Sequence, residues 1–134
     1  MHNTNILKNL LVVLKTNYLI KNKYAYTTYN KLCLNVLFQL YKDGLISNYQ
    51  IDKKTNKVKI GLKYLKNEPL ILDFVLISKP SHKYYVNSLK IKEFMKKFDY
   101  FYISTSIGIL SSQQLSEQKK IGGQLLFGLK LNTN

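Results

Sequence analysis

Val58-Lys59-Ile60-Gly61-Leu62-Lys63-Tyr64-Leu65 alternates without a break. Val58, Ile60, Leu62 and Tyr64 fall on one face, and Lys59, Gly61, Lys63 and Leu65 on the other. A period of two marks a strand with one face in the core and one toward water. Just upstream stand four polar residues, Lys53 to Asn56, and before them Leu45 to Asp52 is a second strand candidate. Polar punctuation between two periodic segments reads as a turn. A hairpin is therefore predicted from about Ile46 to Leu65.

Helices are predicted on the amino-terminal side. From Thr4 to Thr16, Ile6, Leu7, Leu10, Leu11, Val13 and Leu14 recur at three- and four-residue spacing, with Lys8, Asn9 and Lys15 opposite. Asn3 or Thr4 is placed to cap this helix. A second helix runs from about Asn30 to Lys42, with Leu32, Val36, Leu37 and Leu40 on one face and Cys33 beside them. Gly44 supplies the left-handed residue that stops it. Asn17 to Thr28 reads as a loop with a short strand around Lys23 to Tyr26.

Downstream, Lys66 to Pro69 turns the chain and Leu70 to Ser78 forms a further strand. Ser78-Lys79-Pro80-Ser81 ends it, because proline gives a central strand no hydrogen-bond donor. The domain boundary is placed here or within a few residues. The expected fold is α+β: an amino-terminal domain of residues 1–77, with two helices and a three-stranded sheet, and a β-rich domain of residues 78–134. In the latter, strands are predicted at Lys83–Val86, Phe101–Ser104, Ile107–Ser111 and Gln124–Leu131. One or two helical turns are expected at Ile91–Lys97.

The chain has 134 residues and a formal charge of +14. All 21 basic residues are lysine, and there are 11 tyrosines. A surplus of this size repels itself unless a polyanion neutralises it, and nucleic acid is the leading partner class. Tyrosine adds a ring able to stack on unpaired bases. The charge is uneven. Residues 1–67 hold twelve lysines against two acids, whereas residues 68–134 hold nine against five. From Phe98 to Gln118 there is no lysine.

Other classes recede on the same counts. A lone cysteine, Cys33, excludes a disulfide scaffold, and two distant histidines, His2 and His82, leave no structural zinc pattern. The longest apolar runs, such as Leu10 to Leu14, fall far short of a membrane helix. No acids or histidines cluster as a catalytic or metal set, so neither an enzyme nor a cofactor is expected. A basic protein held on an anionic membrane surface is an alternative, but it needs a basic amphipathic helix, and the first helix carries few lysines. An enzyme acting on RNA is the other alternative.

The most specific stretch is Ser104-Thr105-Ser106-Ile107-Gly108. Three hydroxyls stand between two strands, and Gly108 permits a tight backbone. Hydroxyls and free amides read base edges and ribose hydroxyls, where a lysine would reach only phosphate. Gly122-Gly123 opens the next strand about fifteen residues on and is placed to bring it alongside.

Tyr102 to Leu110, followed by a polar spacer and Ile121-Gly122-Gly123-Gln124, resembles the carboxy-terminal signature of the small-subunit ribosomal protein eight family in its bacterial form. That family carries Ser-Thr-Ser-x-Gly and then Gly-Gly-Glu. Lys31-Leu32, Lys42-Asp43-Gly44-Leu45-Ile46 and Ser78-Lys79-Pro80 resemble its upstream landmarks in the right order. Gln124 stands where the family has glutamate, and lysine replaces arginine throughout. The resemblance implies two small α/β domains. It also implies binding to the central domain of small-subunit rRNA, with neighbouring small-subunit ribosomal proteins as further partners. The implied contacts are Ser104, Thr105 and Ser106 at bases and riboses, with Gly122 and Gly123 letting the backbone approach and Gly108 and Gln124 as further RNA-binding positions. Lys31, Lys79, Pro80 and Lys83 would meet the backbone.

The composition carries a further reading. Lysine, asparagine, isoleucine, tyrosine and phenylalanine are abundant, while alanine, arginine, glycine and proline are scarce. A/T-rich codons give this bias, as in organellar genomes. The first residues also lack a transit-peptide composition. The expected setting is a mitochondrial ribosome with the protein made inside the organelle; a plastid or an A/T-rich bacterium are alternatives.

Overall fold

The computed structural model describes residues 4–78, 85–86, 93, 96–106, 108–115 and 123–132. The chain is α+β, as its patterns predict, and divides into two compact units: Met1–Leu72 with Asn132–Asn134, and Asp73–Leu131.

In the first unit, α1 (Thr4–Leu19), β1 (Tyr24–Thr28), α2 (Lys31–Lys42), β2 (Asn48–Asp52) and β3 (Lys57–Gly61) follow in order. The strands form an antiparallel sheet in the order β1-β3-β2. Helix α1 extends three residues past its predicted end. Its buried series Leu7, Leu10, Leu11 and Leu14 continues to Tyr18, one further step of four. Residues Thr16 to Tyr18 look polar on paper, but the Tyr18 ring belongs to the core. Asn30 caps α2 by accepting from the Leu32 amide at 2.8 Å. At the other end Gly44, with φ +76, donates to the Tyr41 carbonyl, and the Leu45 amide donates to that of Leu40. This paired closure needs a left-handed residue where Gly44 stands. Cys33, Val36, Leu37 and Leu40 are buried with Ala25, Val58 and Ile60 of the sheet. Burial pushes the Cys33 thiol up, which suits a small core residue and not a nucleophile.

The alternation beginning at Val58 is not one strand. β3 stops at Gly61, and β4 (Tyr64–Leu65) pairs with β5 (Glu68–Pro69) in a separate two-stranded ladder. The Leu62 amide donates to the Lys23 carbonyl at 3.0 Å, one step beyond the Tyr24–Gly61 pair of the β1–β3 ladder, and the chain then leaves this sheet. Lys66 and Asn67, with φ of 53 and 66, make the tight turn between β4 and β5. Two left-handed central residues are what such a hairpin requires. Lys21 and Asn56 are also left-handed, with φ of 58 and 56.

β6 (Ile71–Leu76) leads into the second unit, with β7 (Tyr85–Val86), β8 (Tyr100–Thr105), β9 (Gly108–Ser111), α3 (Ser112–Leu115) and β10 (Gly123–Leu131). The sheet order is β6-β10-β8-β9, and β7 pairs with the start of β10. β6 thus hydrogen-bonds within the second sheet, and the division into units falls at Leu72–Asp73, shortly before the break at Ser78–Ser81. β10 is central, and Gln124 to Leu129 are all buried. Tyr102 stacks on Phe127 at 4.9 Å. Leu126 is an extra residue between the Leu125–Ile103 and Phe127–Tyr102 pairs. Its carbonyl accepts from the amides of Ile77 and Ser78, which ties in the end of β6. The expected helical turns at 91–97 lie mostly outside the described residues.

Tyr18 gives the first unit a pH signature. Its hydroxyl accepts from the Lys63 amide at 3.2 Å and reaches the Leu45 carbonyl at 3.5 Å. Burial raises its pKa from 10.0 to about 12. The unfolded phenol ionises first as pH rises, so the folded state loses stability between about pH 10 and 12 and is unaffected below. At about 1.4 kcal/mol per pH unit of difference, the loss from this group reaches about 2–3 kcal/mol. Tyr18→Phe should cost about 1 kcal/mol at pH 7 and flatten the decline above pH 10. Urea unfolding at pH 7, 9 and 11 measures both; parallel pH profiles for the two proteins would contradict this account.

Candidate nucleic-acid interface

β8 and β9 form a hairpin in which Ser104 faces Ile109 and Thr105 faces Gly108. Only residues 106 and 107 connect them. The Thr105 hydroxyl donates to the Gly108 carbonyl at 2.7 Å, closing the turn. Gly108 has φ +121, a conformation that L side chains rarely adopt, with open space around it. Ser104 and Thr105 are half-buried, whereas Ser106 and Gly108 are exposed. Ser106 is therefore the hydroxyl at the very tip.

β10 arrives beside this hairpin. Gln124 pairs with Ser104 on one side and with Tyr85 of β7 on the other. One cross-strand row runs Tyr85, Gln124, Ser104, Ile109. A Cβ on Gly123 would lie 2.1 Å from the Ser104 carbonyl oxygen and 3.3 Å from the Thr105 Cα. Only a residue without a side chain fits between the strands here. Gly123 is thus required by the protein's own packing at this place. Gln124 is 6% exposed, and its Nε2 finds no hydrogen-bond partner among the described residues. A buried amide nitrogen without a partner is costly.

The hydroxyls behind the tip are already engaged. Ser111 and Gln114 cap α3 reciprocally: the Ser111 amide donates to Gln114 Oε1 at 2.9 Å, and the Gln114 amide to Ser111 Oγ at 3.4 Å. Ser112 Oγ accepts from the Phe101 amide.

Charge is arranged the other way. Among the described residues of this unit, Lys96 and Lys97 precede the start of β8, and Lys130 lies near the end of β10, which pairs with that start. The tip is six residues along β8, about 20 Å at the strand rise. Ser104, Thr105, Ser106, Gly108, Gly123 and Gln124 therefore come together at the end of the sheet where the described residues carry no lysine. Lys31 is the exposed first residue of α2, in the first unit. Lys79, Pro80, Lys83 and Gly122 lie outside the described residues. The sequence reading did not single out Tyr85, which is 66% exposed and next to Gln124. Its only signal was a tyrosine in a short strand opposite nothing identifiable.

Comparison with known proteins places the chain among ribosomal proteins. Residues 5–129 match the family of ribosomal protein S8. The chain is 36% identical over 129 residues to the small ribosomal subunit protein uS8m of Acanthamoeba castellanii, covering 95% of this chain and 98% of that protein. It is 28% identical over 133 residues to uS8m of Dictyostelium citrinum, covering 94% and 88% of the two chains. It is also 28% identical over 123 residues to small ribosomal subunit protein uS8 of Nitratidesulfovibrio vulgaris, covering 92% and 95%.

The two glycines at the tip should differ in cost. Gly123→Ala drives a methyl into backbone and should destabilise the protein by about 2 kcal/mol or more. Gly108→Ala meets no neighbour and pays only for its dihedral angle, about 1 kcal/mol. Equilibrium urea unfolding of both variants tests the order, and a reversal would refute the close approach at Gly123.

Proposed function

The chain belongs to the ribosomal protein S8 family, and on that premise we propose that it binds the central domain of small-subunit rRNA through the β8–β9 tip and the start of β10. The family is one of ribosomal proteins, not of enzymes. The observation that carries the proposal is the tip itself. Three hydroxyls and an exposed glycine backbone meet at one end of a sheet where the described residues bear no cation. Such groups recognise base edges and ribose hydroxyls, which specify, whereas lysines meet phosphates, which position.

In this reading Ser106 and Thr105 contact RNA directly, and Gly108 lets the backbone come close. Gly123 holds β10 near enough for Gln124 to complete the surface. Lys31, Lys79, Pro80 and Lys83 meet the RNA backbone. Neighbouring small-subunit ribosomal proteins are the further partners. The setting we propose is a mitochondrial ribosome supplied from an organellar gene. The A/T-rich residue bias supports it, as do the names of the amoebal relatives.

Ser106→Ala should weaken binding to a central-domain rRNA fragment by about 1 kcal/mol, close to fivefold, without changing stability. Lys79→Ala should weaken binding to any RNA and lower the salt slope by about one unit. Filter binding across a salt series reads both. Wild-type affinity in Ser106→Ala would remove the tip from the interface. Native protein that fails to co-sediment with small subunits would reject the ribosomal role.

A further inference from the structure

The sheet of the first unit has a face that the rRNA reading above leaves unused. Residues opposite one another in β1, β3 and β2 form rows. The rows Ala25–Ile60–Tyr49 and Thr27–Val58–Ile51 include the buried Ala25, Ile60 and Val58 of the core. The rows Tyr26–Lys59–Gln50 and Thr28–Lys57–Asp52 point the other way. Together with the β2–β3 turn they border a groove of about 660 Å³, lined by Tyr26, Gln50, Lys53, Lys54, Lys57 and Lys59. Four cations face one acid, Asp52, whose carboxylate already accepts from the Lys54 amide at 3.0 Å.

Two details distinguish this groove from a generally basic surface. Tyr26 is 56% exposed at the centre of its strand, so a ring lies open among the lysines. Lys59 Nζ stands 3.9 Å from the centroid of the Tyr24 ring. That cation–π contact holds the ammonium on the sheet before any ligand arrives. In one row a ring, a fixed cation and an amide follow each other at the strand spacing of about 4.8 Å.

We propose that this outer face binds a short stretch of unpaired RNA. One base stacks on Tyr26, the Gln50 amide meets a base edge, and Lys53, Lys54, Lys57 and Lys59 meet phosphates. The inference rests on the RNA-binding reading above but names a second site, in the other unit. A single strand uses both features of the groove, since its bases offer open faces and its backbone offers charge. A duplex keeps its bases stacked on each other and has no use for the ring. An acidic peptide would be satisfied by the lysines and equally has no use for it.

The full chain is titrated by fluorescence anisotropy with a labelled octauridylate and, separately, with a 16-base-pair RNA duplex. Tyr26→Leu should bind the octauridylate about tenfold more weakly and the duplex unchanged, while Tyr26→Phe keeps the wild-type affinity. Lys57→Ala combined with Lys59→Ala should weaken both and lower the salt slope on the octauridylate by about one to two units. If Tyr26→Leu does not fold, the comparison of Tyr26→Thr with Tyr26→Phe carries the same information. Unchanged octauridylate binding in Tyr26→Leu overturns the proposal, as does competition by decaglutamate as effective as by octauridylate. Ser106→Ala separates the two sites. It should lose affinity for the central-domain fragment and none for octauridylate. Loss at Ser106 with no loss at Tyr26 sinks this site alone, whereas a chain that binds no RNA sinks both.

Discussion

A methyl group at position 123 would stand 2.1 Å from the Ser104 carbonyl oxygen, well inside any allowed contact. The approach that excludes it sets much of the second unit. It brings the first residue of β10 against the last residues of β8, and from that register Leu125 to Leu129 pass between β6 and β8. Along this strand the residues are buried without interruption. The bulge at Leu126 then turns a carbonyl toward the end of β6. The same approach sets Gln124 beside the serine hydroxyls. The central strand and the candidate surface thus meet at one glycine.

The two units divide the chemistry of a polyanion-binding chain. Cations and open tyrosine rings crowd the first, where Lys53, Lys54, Lys57 and Lys59 border the outer sheet face. The tip of the second offers neutral donors and acceptors. Long-range attraction decays over a Debye length of about 8 Å in physiological salt, whereas hydrogen bonds act only at contact. Lysines suit capture and hydroxyls suit discrimination, and placing them on separate surfaces keeps a flexible ammonium from competing with a fixed hydroxyl for the same atom.

Local rules made much of this legible. Asn30 and Gly44 bracket α2 because caps are chosen by one or two residues, and the alternation from Val58 marks a strand because a half-buried sheet enforces it. The Ser104–Ser106 and Gly122–Gly123 landmarks were readable as a pair. What failed was non-local. Tyr18 looks like loop until the core that takes its ring is known. The alternation to Leu65 hides a break after Gly61, since Tyr64 and Leu65 pair with Pro69 and Glu68 and not with β1 or β2. The partner of β6 is β10, about fifty residues on, and nothing in Ile71–Leu76 names it. Tyr85 acquires meaning only from its place in a row with Gln124.

Among the described residues, four that are not glycine, Lys21, Asn56, Lys66 and Asn67, sit in the left-handed region, against glycines at 44 and 108. A side chain costs roughly 1 kcal/mol there, less for asparagine. Glycine is read from GG-initial codons, whereas lysine and asparagine are read from AA-initial ones. A genome drifting toward A and T therefore presses on dihedral angles as well as on composition. Such pressure meets two kinds of resistance: at Gly108 only the dihedral angle opposes a side chain, since nothing stands within 4 Å, whereas at Gly123 the Ser104 and Thr105 backbone also stands in the way.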